Sequence, residues 1–136
     1  MQRVTRVLTA LAIATAVIAC SSTDAAAPSA PSVDQAAATA IADEALEALN
    51  AGDYDRWSAH WSADLKAAIK EQDFRAVRDQ VLAQRGAYVA LGTPVLSSAT
   101  PGTFRWTFPV TFEKGSASFW IGFRDGTTQV AGLRLE

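Results

Sequence analysis

The order of apolar and polar residues divides the chain into parts that predict different structures. Residues 7–19 contain no charged residue, residues 33–86 place apolar side chains at helical spacing, and residues 87–136 alternate between apolar and polar with a period of two. Helices followed by strands predict an α+β fold.

The helical part predicts a first helix over roughly residues 33–50. Ser32 and Gln35 have the spacing of a capping box, and Gly52 can end the helix. Further along, residues 63–72 predict one or two additional helical turns.

A short second helix, capped by Asp53, aligns three aromatic side chains in one stripe. Tyr54, Trp57 and Trp61 fall at positions i, i+3 and i+7. Such a stripe can line a cleft and stack on a hydrophobic or sugar ligand, but this spacing is more typical of core packing.

A longer helix is predicted from about Asp73 to Gly86. One side of this helix is apolar and the opposite side is polar. The apolar side consists of Phe74, Val77, Val81 and Leu82, and the polar side includes Arg75, Arg78 and Gln84.

The clearest strand signal is TFRWTFPVTFEK, residues 103–114, where aromatic and aliphatic residues alternate with mostly polar ones. A two-residue loop at Lys114 and Gly115 predicts a hairpin in which Phe108 lies opposite Ile121. Both strands then bury the same face.

The last strand needs an irregularity to fit the same core. A two-residue loop at residues 125–126 would turn Leu133 and Leu135 outward, so we expect a β-bulge at the step from Ala131 to Gly132 that restores their phase. The sheet is expected to have about four strands.

The N-terminal segment has the layout of an export signal. Arg3 and Arg6 precede an apolar run that is too short to cross a bilayer core of about 30 Å as a helix. The run ends in VIAC, which resembles the bacterial lipobox, where the cysteine is acylated and becomes the mature N-terminus. We expect residues 1–19 to be removed as a signal peptide and Cys20 to carry the lipid. The alternatives are an ordinary cleaved signal or a buried structural cysteine.

The stretch after this cysteine predicts a disordered tether. Residues 20–32 are rich in Ala, Ser and Pro and have almost no large apolar side chain to bury. Residues 33–136 are long enough for one small α+β domain with a single core. We therefore expect an exported lipoprotein of the cell membrane or outer membrane, facing the periplasm or the cell exterior.

Charge and composition exclude several kinds of function. The chain has 12 basic and 14 acidic residues, so it lacks the basic excess that nucleic-acid binding requires. It contains one cysteine and one histidine, with no spacing typical of a metal site. No Gly-rich phosphate loop and no nucleophile motif is present, and we expect no cofactor.

The domain resembles the nuclear transport factor 2-like superfamily, a cone-shaped α+β fold also called cystatin-like. AAATAIADEALEALNAGDYDRWSAHWS, residues 36–62, resembles its opening helix, turn and short aromatic helix. GAYVALG and DGTTQVAGLRLE resemble strands of uncharacterised bacterial envelope lipoproteins of that superfamily. The resemblance implies N-terminal helices packed on the concave face of a curved antiparallel sheet. It also implies a cleft between the layers that is a ligand pocket, an active site or filled core.

A catalytic cleft needs positioned acids and bases, and the inward strand positions here are aromatic or aliphatic. Catalytic relatives that isomerise steroids or dehydrate small polyketides place carboxylates, a tyrosine or a histidine inside the cone. His60 lies at the edge of the aromatic stripe, where it could act as a base with Asp55 or Tyr54, or simply mark the rim of a packing helix. No residue is assigned a catalytic role. The possible cleft lining is Tyr54, Trp57, His60 and Trp61.

Trp120 indicates a second candidate surface. Alternation places it on the outer sheet face, beside Pro109 of the paired strand, where a large apolar side chain needs a cover. With Arg124 it could form an interface with a second copy of the chain or with another envelope protein. The tether or the first strand could cover it instead.

Together these observations predict a lipid-anchored cell-envelope protein whose soluble domain is a binding or protein-interaction module. The alternative is a small-molecule isomerase or dehydratase that uses the cleft of the cone fold. A third possibility is a structural or stress-related lipoprotein without a small ligand. The apolar inward positions favour binding over catalysis.

Overall fold

The computed structural model describes residues 31–97 and 101–136. The predicted signal peptide, Cys20 and most of the predicted tether lie outside the described residues. The described part is an α+β domain, as predicted, with helices followed by a curved antiparallel sheet. In chain order its elements are α1 (Gln35–Ala51), α2 (Tyr54–Trp57), α3 (Ala63–Ala68), α4 (Glu71–Arg85), β1 (Tyr88–Leu91), β2 (Val95–Ser97), β3 (Thr103–Phe112), β4 (Gly115–Arg124) and β5 (Val130–Leu135). Within the described ranges, no helix has the length and apolar character needed to cross a membrane.

Helix α1 is capped by Asp34, so the predicted capping box at Ser32 is wrong. The Asp34 carboxylate accepts a hydrogen bond from the Ala37 N–H at 2.8 Å. The Ser32 hydroxyl instead donates to the Thr127 carbonyl at 2.5 Å, and this contact holds Ser32 at the β4–β5 loop. Gly52 ends the helix as predicted, with a left-handed φ of 76° that favours glycine.

The later helices follow the predicted pattern with shifted ends. Ala63–Ala68 forms the short helix expected in that stretch. Helix α4 begins at Glu71, two residues before Asp73, because the Asp73 carboxylate accepts from the Lys70 N–H at 2.9 Å and therefore belongs to the first turn. The helix ends at Gly86, as predicted.

The sheet has five strands, one more than the expected count of about four. Its order is β1-β3-β4-β5, and β2 pairs with β3 on the same side as β1. Strand β1 pairs with residues 110–112 of β3, and β2 pairs with residues 105–107. Two short strands, separated by residues 92–94, therefore share one edge of the sheet.

The β3–β4 hairpin buries the predicted face, but its predicted register is wrong by two residues. The loop lies at residues 113–114, so Phe108 pairs with Phe119 and not with Ile121. Gly115 opens β4 at a φ of 150°, which favours glycine. Because side chains alternate with a period of two, a shift of two residues leaves each of them on its predicted face.

Strand β5 contains the predicted bulge, although the loop before it is longer than predicted. Residues 125–129 connect β4 to β5, in place of a two-residue turn. Ala131 is the extra residue between the pairs made by Val130 and Gly132. The bulge turns both leucines of β5 toward the core, where they pack partly buried.

The core lies between the helices and one face of the sheet. The sheet contributes buried aromatic side chains from β3 and β4, namely Phe104, Trp106, Phe108, Phe112, Phe119 and Phe123. Helix α1 covers them with a face of small and branched residues, Ala38, Ala42, Ala45, Leu46, Ala48 and Leu49. The aromatic interior is therefore largely filled by the chain's own side chains.

Candidate functional site

The predicted aromatic stripe forms a packed cluster with Phe74 of α4. The ring centroid of Trp57 lies 4.6 Å from that of Trp61 and 4.6 Å from that of Phe74. The Tyr54 ring approaches Phe74 at 5.9 Å, and the Tyr54 hydroxyl donates to the Ile69 carbonyl at 2.7 Å. The stripe thus joins α2 to α4 inside the helical layer.

His60 lies outside this cluster, on the exposed side of the helices. Its Nε2 is 2.8 Å from Oε2 of Glu44 on α1, and Arg56 approaches the same carboxylate at 3.6 Å. Hydrogen bonding to His60 holds the pKa of Glu44 below its usual value, and Arg56 adds to this effect. Asp55 is exposed and Tyr54 is packed inward, so the structure does not gather these two residues with His60 at one cleft.

An apolar pocket of about 330 Å³ opens instead between α4 and β5. We call it the α4–β5 groove and define its walls by α4 residues 77–85 and β5 residues 133–135. Its floor is formed by buried side chains of α1, α2 and β4, which are Leu46, Leu49, Trp57 and Phe119. Trp57 is therefore the residue of the predicted cleft lining that reaches this groove.

One face of α4 forms the helical wall of the groove. Val77, Gln80, Val81, Gln84 and Arg85 follow the i, i+3, i+4, i+7, i+8 spacing of a single helix face. Val81 is buried, whereas Val77 at the groove mouth is 41% exposed. The sequence predicted Val77 on the apolar side of α4, but its prediction of Gln84 on the opposite side is wrong, because Gln84 lines the groove on the same face. Residues seven apart share a helix face, so this spacing was the available signal.

Strand β5 forms the opposite wall and is also an edge of the sheet. Ser118 and Glu136 exchange both backbone hydrogen bonds, at 3.1 and 2.8 Å. Pairs alternate along an antiparallel ladder, so the N–H and C=O groups of Leu135 and Leu133 point away from β4. Within residues 31–97 and 101–136 these outward groups have no backbone partner.

The start of the same edge is already occupied. The Val130 N–H donates to the His60 carbonyl at 2.7 Å, and the Val130 carbonyl accepts from the Ser62 N–H at 2.8 Å. The loop after α2 therefore covers the first residue of β5. The open part of the edge begins beyond the bulge, where the two leucines also line the groove.

The polar groups at the rim of the groove are amides and guanidinium groups. Gln80 and Gln84 supply the amides, and the Arg85 guanidinium donates from Nη1 to the Ser116 carbonyl at 3.1 Å. Arg134 borders the groove from β5, but alternation with the two leucines directs its guanidinium to the outer sheet face, where Nε lies 3.4 Å from Oε1 of Glu136. Among the described residues that line the groove, none carries a carboxylate side chain. The rim therefore favours neutral or anionic ligands.

The outer sheet face carries the second predicted surface, around Trp120. Trp120 pairs with Thr107, so its predicted position beside Pro109 is wrong by the same two-residue shift as the hairpin. Arg105 places its guanidinium carbon 4.6 Å from the centroid of the Trp120 ring, above a concavity of about 210 Å³. Arg124 is exposed and lies 3.7 Å from Asp64. An interface at Trp120 and Arg124 stays a prediction.

Metal chemistry was not expected from the sequence. Across residues 31–97 and 101–136, no group of three or more His, Cys, Asp or Glu side chains is arranged to hold a metal ion.

Known proteins resemble this chain in fold and in sequence family. An NMR structure of a protein from Ruminococcus gnavus ATCC 29149 matches with a TM-score of 0.59 and 16% sequence identity, over 74% of this chain and 90% of that one. At this identity the likeness shows the fold alone. No curated protein matches the chain. A family model described as "Protein of unknown function (DUF3887)" matches residues 42–133, which is more than half of the chain. The chain therefore belongs to the DUF3887 family.

Proposed function

We propose that the chain is a lipid-anchored cell-envelope protein whose domain, residues 33–136, binds an apolar ligand in the α4–β5 groove. The observation that carries this proposal is the groove itself. The interior between α1 and the sheet is filled, whereas the space between α4 and β5 is left open with an apolar floor. Its volume of about 330 Å³ lies at the small end of ligand pockets, which span about 300–1,000 Å³.

The exposure of Val77 supports a ligand in this position. A valine that is 41% exposed beside a buried leucine and tryptophan floor leaves apolar surface in contact with water. Covering that surface with a ligand removes it from water and supplies a hydrophobic driving force. The rim amides and the Arg85 guanidinium can orient a polar end of the ligand, while the floor takes the apolar part.

The proposed anchor places this groove near a membrane. The lipobox-like VIAC motif supports acylation of Cys20, and the 13 residues from 20 to 32 form the connection to the domain. Fully extended, such a tether reaches at most about 45 Å. The domain would therefore meet ligands at the membrane surface or among neighbouring envelope proteins. Helices on one face of an antiparallel sheet also support membership of the nuclear transport factor 2-like superfamily as part of this proposal.

Ligand binding is tested with the neutral apolar fluorophore Nile red and the processed chain, residues 20–136 carrying Cys20→Ser. We expect saturable fluorescence enhancement that Val77→Asp reduces by about tenfold or more in affinity, because a carboxylate at the mouth must be desolvated on binding. Val89→Asp is the matched control, since Val89 is another exposed valine that lies on β1. Absence of saturable binding, or equal loss in both variants, would refute the groove as a ligand site.

Anchoring is tested separately by mass spectrometry of the full chain produced in a bacterial host. We expect a mature protein that begins at Cys20 and carries acyl chains, and a Cys20→Ser variant that carries none. An unmodified Cys20 in the exported protein would contradict the anchor and leave the groove proposal standing.

A further inference from the structure

We infer that the ligand of the α4–β5 groove is an extended peptide that adds to the free edge of β5 as a further strand. Alternate side chains of the peptide are apolar and enter the groove, and the side chains between them are acidic and lie beside Arg134. This inference rests on the proposed function, because it names the ligand class of the same groove.

The backbone of β5 supplies the first part of the argument. Leu133 and Leu135 belong to non-hydrogen-bonded pairs with β4, so each directs one N–H and one C=O outward. A peptide in the β conformation matches this spacing with its own alternating donors and acceptors. The bonds already made to Val130 by His60 and Ser62 show the same edge pairing with another segment.

The groove supplies the second part. The side chains of Leu133 and Leu135 line the groove, so a strand paired with them places its alternate side chains on the same face. Those side chains then lie between β5 and the exposed wall of α4 at Val77, Gln80 and Gln84. The strand edge and the apolar groove are therefore parts of one binding surface and would be filled together.

Charge supplies the third part. Arg134 lies between the two leucines and projects to the opposite face of the sheet, where its side chain is 67% exposed. Peptide residues that alternate with the apolar ones would lie beside this guanidinium. Glu136, 53% exposed, approaches Arg134 at 3.4 Å, so a peptide carboxylate would share the guanidinium with Glu136 or displace it. Acidic residues at these peptide positions complement the charge, whereas lysine or arginine would be repelled.

The test begins with a random heptapeptide library displayed on phage and selected on the processed chain, residues 20–136 with Cys20→Ser. We expect enriched peptides that alternate apolar residues with Asp or Glu. An enriched peptide is then synthesised with single N-methylated amides along its length. Methylation of every second amide should weaken binding by about tenfold, the equivalent of one lost hydrogen bond, and methylation of the others should have little effect.

Charge is tested with a pair of matched variants. Arg134→Glu should weaken binding of the enriched peptide by about tenfold or more at low salt. Added salt should reduce the difference in affinity between this variant and the parent chain. Arg124→Glu is the control, because Arg124 is similarly exposed, at 65%, but lies on β4 away from the groove. Equal effects of the two substitutions would overturn the role of Arg134.

The outcomes separate this inference from the function on which it rests. If Nile red binds as proposed but no alternating peptide is enriched, or if N-methylation shows no period of two, the groove holds a small molecule and the strand-addition model is wrong. If neither Nile red nor any peptide binds, both the inference and the proposed ligand site fail.

Discussion

The two edges of the sheet differ in how their backbone groups are satisfied. On the β1 edge, the Asn50 side chain accepts from the Tyr88 N–H at 2.8 Å and donates to the Tyr88 carbonyl at 3.0 Å. On the β5 edge, Val130 is bonded to the loop after α2, but the outward N–H and C=O groups of Leu133 and Leu135 have no backbone partner in the part of the chain that the structure describes. The Asn50 amide thus satisfies the outward backbone groups of Tyr88, as a neighbouring strand would.

The difference indicates that the sheet edge is closed at Tyr88 and can accept a partner at Leu133 and Leu135. The β1 edge is further interrupted by residues 92–94, with Pro94 among them, and the two strands there are short. Short strands and proline are common means of preventing edge-to-edge association. The open part of β5 lies beside an apolar groove, so the two features that favour partner binding coincide on one side of the domain.

The largest expected difference between the two sides is in packing. Phe112 is 3% exposed and contacts the Tyr88 ring on the closed side, so Phe112→Ala should cost about 3–5 kcal/mol of unfolding free energy. Leu135 is half-buried on the groove side, so Leu135→Ala should cost about 1 kcal/mol. Urea denaturation of both variants measures these two losses of unfolding free energy. Similar losses would mean that the groove side is packed as tightly as the closed side.

A smaller effect is expected from opening the closed edge. Asn50→Ala removes both hydrogen bonds to Tyr88 and leaves its partly buried backbone groups without these partners, which should cost about 1–3 kcal/mol. Chemical denaturation gives the value, and Gln129→Ala in an exposed loop serves as the control, with an expected change within about 0.5 kcal/mol. An unchanged stability for Asn50→Ala would show that water replaces the amide without loss.

The smallest effect should appear at alkaline pH. Burial raises the pKa of Tyr88 above its ordinary value of about 10, and the hydrogen bond to Asp43 raises it further. Because the folded-state pKa is the higher one, Tyr88 contributes stability below about pH 10 that is lost as the pH rises further. Tyr88→Phe should lower the free energy of unfolding by about 1 kcal/mol at neutral pH. In thermal unfolding, the stability of this variant should decline less steeply above pH 10 than that of the parent chain. A slope equal to that of the parent chain would contradict this.

Hydrophobic periodicity was sufficient to predict helices followed by strands and the buried faces of the β3–β4 hairpin, but it did not reveal the short strand β2. It could not fix the β3–β4 register, because registers that differ by two residues bury the same side chains. In the observed register Gly115 is the first residue of β4, with a positive φ, whereas the predicted register made it a loop residue. The bulge at Ala131 was predictable because the leucines after it would otherwise have faced water.

The groove could not be predicted in the same way. The pattern on α4 identifies Val77 as part of an apolar side, but not whether another element reaches that side. Whether Val77 is covered depends on the distance in space between α4 and β5. These elements are about 50 residues apart in the chain, so no local sequence pattern sets that distance. His60 shows the opposite case: the predicted helical position allowed a role at a cleft, but α2 ends at Trp57, and the contact of His60 with Glu44 places it outside.

The attachment of the N-terminal segment has a mechanical consequence. Val33 is 3% exposed, and its carbonyl accepts a hydrogen bond from the Trp106 indole at 3.0 Å. Ser32 is bonded to the β4–β5 loop immediately before it. Tension applied through the preceding residues would therefore load these two contacts with the sheet before it reached α1. These two contacts would then resist the pull, and α1 need not unwind until they break.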